Sequence, residues 1–147
     1  MNKLKRIITI IGICVICAPL LQCAGANTSL DYYFDSGATV VRHSEVYNLA
    51  NAESFFGSIP VENSEIRVVV YTIEGDPIIY DITYRAQTYE VKTDTSRDRY
   101  GGRLRSSTDY YQNVEIVQGD GYTEYYLSMD SPAAENQKLQ LLSVRNK

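Results

Sequence analysis

Glu65-Ile66-Arg67-Val68-Val69-Val70-Tyr71-Thr72-Ile73-Glu74-Gly75-Asp76-Pro77-Ile78-Ile79-Tyr80-Asp81-Ile82-Thr83-Tyr84 is the stretch that decides the fold. Side chains alternate between the two faces of an extended chain. In the first half, Ile66, Val68, Val70 and Thr72 therefore share one face, and Arg67, Val69, Tyr71 and Ile73 the other. Apolar groups on both faces mark a strand in the middle of a sheet. Glu74-Gly75-Asp76-Pro77 has the composition of a tight turn. Beyond it Ile78, Tyr80, Ile82 and Tyr84 alternate with Ile79, Asp81 and Thr83. The two runs read as a hairpin.

Working outward, Thr88 to Thr93 forms a third strand with Tyr89 and Val91 facing inward. Residues 94–103 have no apolar period and contain Gly101-Gly102, which predicts a long exposed loop. Strands at about residues 109–117 and 122–129 flank Gly119-Asp120-Gly121, a second hairpin signal. After Pro132, the spacing of Leu139, Leu141, Leu142 and Val144 suits either a last strand or a short helix. Upstream, Asn48 is placed to cap a helix running to about Phe56, with Leu49, Ala52, Phe55 and Phe56 on one face and Gly57 and Pro60 ending it. A short strand covers Ala38 to His43, and residues 27–37 read as a tether whose Tyr32-Tyr33-Phe34 docks on the domain. The expectation is one α+β domain over residues 38–147, a single helix packed on an antiparallel sheet of about five strands.

The N-terminus carries a different message. Lys3, Lys5 and Arg6 precede an apolar run from Ile7 to Ala18, and Ala24-Gly25-Ala26 offers small residues for a peptidase, so residues 1–26 read as a signal peptide. Two processing routes compete. Cleavage after Ala26 frees a secreted domain beginning at Asn27. Cleavage before Cys23, read from Leu20-Leu21-Gln22-Cys23, leaves a lipid on Cys23 that holds the domain at the outer face of the membrane. Gln22 stands where the second route wants a small residue. All three cysteines lie within the first 23 residues, so the mature chain contains no disulfide; Cys14 and Cys17 sit in the apolar run, which weakens a redox reading.

Removing residues 1–26 takes away three of the 14 basic residues and none of the 18 acidic ones, which moves the net charge from -4 to -7. Such a chain is a poor partner for nucleic acid, whose affinity comes mostly from basic side chains. The mature part holds all 13 Tyr and no Trp. Tyrosine suits half-buried strands, with the ring packed and the hydroxyl wet. A Tyr-bearing binding face is the sharper reading of the same fact.

Three groups of residues are candidates for chemistry. His43 is the only histidine, which excludes a multi-histidine metal site, and no nucleophile motif accompanies it. Glu74, Asp76 and Asp81 gather around the first hairpin, where carboxylates could serve acid–base chemistry or hold a hard cation, although a turn needs Gly-Asp-Pro anyway. Arg97, Arg99, Arg103 and Arg105, with Tyr100 among them, form a basic segment in an acidic chain, fit for carboxylate or phosphate. Mutual neutralisation by Asp94 and Asp98 is its plainer reading. Nothing in the sequence requires a cofactor or a metal.

Val70 through Tyr84, and the polar loop from Thr93 to Gly102 with Asp94, Arg97, Asp98, Tyr100 and Gly101, resemble a family of small exported domains of Gram-positive bacilli. The members carry a domain of unknown function, and many are lipoproteins. The resemblance covers about residues 38–129 and implies an exported location and a small compact fold, without implying an activity. Cysteines that many members place in the last two strands are missing near Tyr110 and from Ser128 to Asp130, so a family-type disulfide is ruled out here. The reading that follows is a monomeric, non-enzymatic binding domain of the envelope or exterior, with an envelope protein or anionic polymer as partner. The alternatives are a cation-dependent hydrolase using Glu74, Asp76 and Asp81, and an inhibitor or immunity-type protein acting through the 94–105 loop.

Overall fold

A computed structural model describes residues 29–102, 105–130 and 137–146. The chain order is α1 (Leu30–Asp35), β1 (Thr39–Arg42), β2 (Glu45–Tyr47), α2 (Leu49–Phe56), β3 (Glu65–Tyr71), β4 (Pro77–Arg85), β5 (Thr88–Asp94), β6 (Ser106–Tyr111), β7 (Asn113–Gly119), β8 (Tyr122–Ser128) and β9 (Lys138–Arg145). A six-stranded sheet runs β2-β1-β3-β4-β5-β6, and a three-stranded sheet runs β7-β8-β9. All neighbours are antiparallel except β1 and β3, which are parallel.

This corrects the expected single helix on an antiparallel sheet of about five strands. Of the described residues 53% lie in strands and 13% in helices, so the protein is mostly β, with nine strands in two sheets and two helices. Three local causes explain the difference. Glu45-Val46-Tyr47 is too short to show a period, yet it pairs with β1 from Val40↔Tyr47 to Arg42↔Glu45. The run at 109–117 is two strands, because the chain changes sheet at Gln112 while its apolar spacing continues through the break. And Leu30–Asp35 coils into a helix because Ser29 Oγ accepts the Tyr32 N–H at 3.2 Å, satisfying a donor that the first turn leaves orphaned.

The decisive stretch behaves as its alternation requires. β3 lies between β1 and β4, with Ile66↔Ile82, Val68↔Tyr80 and Val69↔Ile79 opposite each other. Ile66, Val68 and Ile82 face one core together with Phe55 and Phe56 of α2, Tyr89, Val91, Tyr111, and Tyr125, Leu127, Leu141 and Leu142 of the small sheet. Val69 and Ile79 face the other side, where Tyr33 of α1, Ala38 and Val40 close a second cluster. The large sheet is thus covered on one face by α2 and the small sheet, and on the other by α1. The tail resolves as a strand, and the second hairpin turns at Asp120-Gly121, where Gly121 has φ 88°. Between β4 and β5 the turn residues Ala86 and Gln87 both have positive φ (48° and 59°), a two-residue hairpin loop made without the usual Asn-Gly signal.

Asn48 precedes α2 but does not cap it with its side chain. It sits at φ 52°, and its Nδ2 instead donates to Phe34 O (3.0 Å) and Ala38 O (2.9 Å). Thr39 Oγ1 returns a bond to Asn48 O at 3.2 Å. These contacts fasten the α1–β1 junction to the start of α2 and fix one wall of the groove described next.

Candidate functional site

The described part of the 94–105 loop, residues 94–102 and 105, is held by more hydrogen bonds than its composition suggests. Thr95 N–H donates to Arg105 O at 3.0 Å and closes its base, while Asp98 Oδ1 accepts the N–H groups of Tyr100 (3.0 Å) and Gly101 (2.7 Å). Two of the arginines are tied to carboxylates. Arg97 Nη1 meets Asp94 Oδ2 at 3.0 Å. Arg99 gives its backbone N–H to Asp76 Oδ2 (3.0 Å) and its Nε to Asp76 Oδ1 (3.1 Å), which pins the loop to the β3–β4 turn. The Arg99 side chain still exposes 74% of its surface, with its guanidinium carbon 5.9 Å from the exposed Tyr100 ring. Arg105 is exposed; Arg103, like Cys23, lies outside the described residues.

The three acidic candidates go different ways. Asp76 is buried at 6% exposure under Arg99; Asp81 takes Arg67 as a fork, Nε–Oδ1 2.6 Å and Nη2–Oδ2 2.9 Å; Glu74 is exposed at the turn. Among the described residues no three His, Cys, Asp or Glu side chains are grouped so as to hold a metal ion. His43 is exposed in the β1–β2 turn at φ 55°, beside Ser44 and Glu45. Each acid is thus held by an arginine or left at a turn, an arrangement that serves structure better than proton transfer.

Hydrogen bonds from the Arg99 guanidinium and then its backbone N–H hold the Asp76 carboxyl below its ordinary 3.8. Bonds from Ser96, helped by Arg97, do the same for Asp94. A depressed folded pKa contributes stability that is present above the ordinary value and lost as pH falls through the folded one. Wild-type stability is expected to hold from neutral pH to about pH 4–5 and to decline below that, whereas Asp76→Asn lacks part of the decline. Urea unfolding across that range measures it. A gap between the two proteins that stays constant down to about pH 2.5 would show that the charge of Asp76 contributes nothing.

The site that the sequence conceals is a groove of about 850 Å³. One wall is α2 and the segment after it, with Asn51, Ser54, Phe55, Ser58 and residues 59–61; the other is Ser64 to Arg67 with Asp81 to Thr83 and Lys92. Ile59 and Val61 form its lip at 85% and 78% exposure. The Ser64 hydroxyl oxygen is buried and makes no hydrogen bond. The only sequence signal for this lip is Ile59-Pro60-Val61, an apolar triplet placed after a helix stop, where a connecting loop is ordinarily polar.

A family model described as a domain of unknown function, DUF4362, matches residues 37–126, from the residue pair before β1 to within β8. Comparison with curated proteins and with solved structures gives no match. The matched span is more than half of the chain and includes most of both groove walls, so this protein belongs to the DUF4362 family of domains of unknown function.

Proposed function

We propose that this protein is an exported binding domain that works without catalysis at or outside the cell envelope, in the manner expected of small exported domains of Gram-positive bacilli. The groove carries this reading. Its volume of about 850 Å³ falls in the range of ligand sites. Its chemistry is that of recognition: hydroxyls of Ser54, Ser58, Ser64 and Thr83, the Asn51 amide, and apolar Phe55, Ile66 and Ile82. The single histidine is at the β1–β2 turn, away from these serines. Its Asp81 is engaged with Arg67, and Lys92 pairs with Glu90 at 3.1 Å. The leader-like residues 1–26 supply the compartment, with release at Asn27 as the proposed route and a lipid on Cys23 as the other.

The test is to express the full chain, recover the exported form, determine its N-terminus by mass spectrometry and incubate it with isolated envelope. An N-terminus at Asn27 and saturable retention by envelope are expected, with retention reduced by Val61→Asp. Recovery only from the cytoplasm, or no retention, sinks the reading; a lipidated Cys23 replaces the secreted form by the anchored one.

A further inference from the structure

We infer that the groove receives an extended segment of a partner polypeptide, which adds to the open edge of β3 at Glu65–Arg67 as a short strand. This rests on the reading of the chain as a binding domain and names the class of partner. β1 runs parallel to β3 but pairs only with Val68, Val69 and Val70. Below that level β3 has β4 on one side, through Glu65↔Thr83, Ile66↔Ile82 and Arg67↔Asp81, and among the described residues no strand on the other, where Ser36, Gly37 and Ala38 ahead of β1 line the groove.

The direction of the main-chain groups follows from the ladder. Tyr84 N–H donates to Ser64 O at 3.0 Å and Asn63 N–H to Tyr84 O at 2.8 Å, so the ladder with β4 begins at a bulge over Asn63 and Ser64 in which Ser64 C=O points to β4. Antiparallel pairs alternate, which gives Ile66 and Val68 to β4 and turns the N–H and C=O of Glu65 and the N–H of Arg67 toward the groove. An edge of this kind is a template for another strand. Three residues span about 10 Å, enough for a short addition in line with β1.

The walls state what that strand must look like. Its side chains alternate between the two sides of the sheet. On one side they meet Phe55, Ile66 and the lip of Ile59 and Val61; on the other they meet Glu65 and Arg67, the latter tied to Asp81 of β4. A segment of alternating apolar and polar residues satisfies both. A glycan fits less well, since among the described residues the only aromatic in the lining is Phe55, itself buried, which offers a sugar ring little face to stack on.

Random heptapeptides displayed on phage are the probe, selected on the exported form of the full chain and then synthesised. Enriched peptides are expected to alternate apolar and polar residues and to shift the backbone NMR signals of Glu65, Ile66 and Arg67. Methylating alternate peptide amides, or replacing the exposed Ile59 and Val61 by Ser, is expected to weaken binding at least about tenfold, because main-chain bonds and lip contacts carry the affinity. Because both positions are exposed, these variants keep the fold, checked by unchanged thermal unfolding. No enrichment, shifts elsewhere on the surface, or indifference to amide methylation would overturn the inference, as would soluble envelope glycan displacing nothing but itself occupying the groove. Peptide binding without envelope retention leaves the groove assigned and removes the envelope reading. Envelope retention by a protein that binds no peptide does the reverse.

Discussion

Phe56→Ala should remove about 3–5 kcal/mol of stability, the range for emptying a buried aromatic site in a core. Typical domains have only about 5–15 kcal/mol to lose, so the variant stands near the edge of folding. Phe56 is buried at the end of α2, its ring 5.0 Å from Phe55 and 6.3 Å from Tyr125 of the small sheet, and it belongs to the cluster that both sheets share. No neighbouring element can collapse into the space without moving a sheet. Urea unfolding with an unchanged m-value is the measurement. The control is Ile73→Ala at the exposed β3–β4 turn, at 95% exposure, which should move stability by less than about 0.5 kcal/mol. A loss below about 1 kcal/mol for Phe56→Ala would contradict the placement of α2 against the shared core.

Leu127→Ala should cost about 2–5 kcal/mol, and its effect should be felt in the large sheet. Leu127 is fully buried on β8, the middle strand of the small sheet, and packs into the same cluster as Ile66, Val68 and Ile82. One core means one cooperative unit. Hydrogen exchange at the Val68 and Val69 amides is therefore expected to quicken by the factor that the global loss dictates. If the small sheet were an appended unit, those amides would keep their protection while the β8 amides lost theirs. The single residue Gln112 between β6 and β7 favours the cooperative result, since its N–H bonds Ser128 O at 3.1 Å and its side chain accepts the Asp130 N–H at 2.9 Å.

Where local chemistry dictates the backbone, the sequence could be read. Alternation set β3, β4 and β5, and glycine set the β7–β8 turn. α2 ends where Gly57 follows it, with the Gly57 N–H bonded to Glu53 O at 2.8 Å. Long-range choices left no such trace. Nothing in the spacing of Val40 and Val69 says that β1 joins β3 in parallel, and nothing in Tyr110 to Val114 says that the chain leaves one sheet for another. The candidate residues divide along the same line. Arg97 pairs locally with Asp94, as the alternation of charge along the loop allowed, but the pairing of Arg99 with Asp76 and of Arg67 with Asp81 depends on which segments the fold makes neighbours, and that pairing makes them braces. Of the groove only the apolar lip left a trace in the sequence, because its walls come from α2, the segment before β1 and the foot of β3, which the fold alone brings together.

That short parallel contact also shapes how the molecule comes into being. The β3–β4, β4–β5 and β7–β8 pairs close through turns of a few residues and can form early, as local contacts do. β1 meets β3 only after β2, α2 and the segment beyond have been laid across the gap, so the loop-closure entropy falls on this step. The β1–β3 register is then a late event in folding, and until it occurs the whole length of β3 presents an open edge. The foot of that edge is what the finished protein still keeps open.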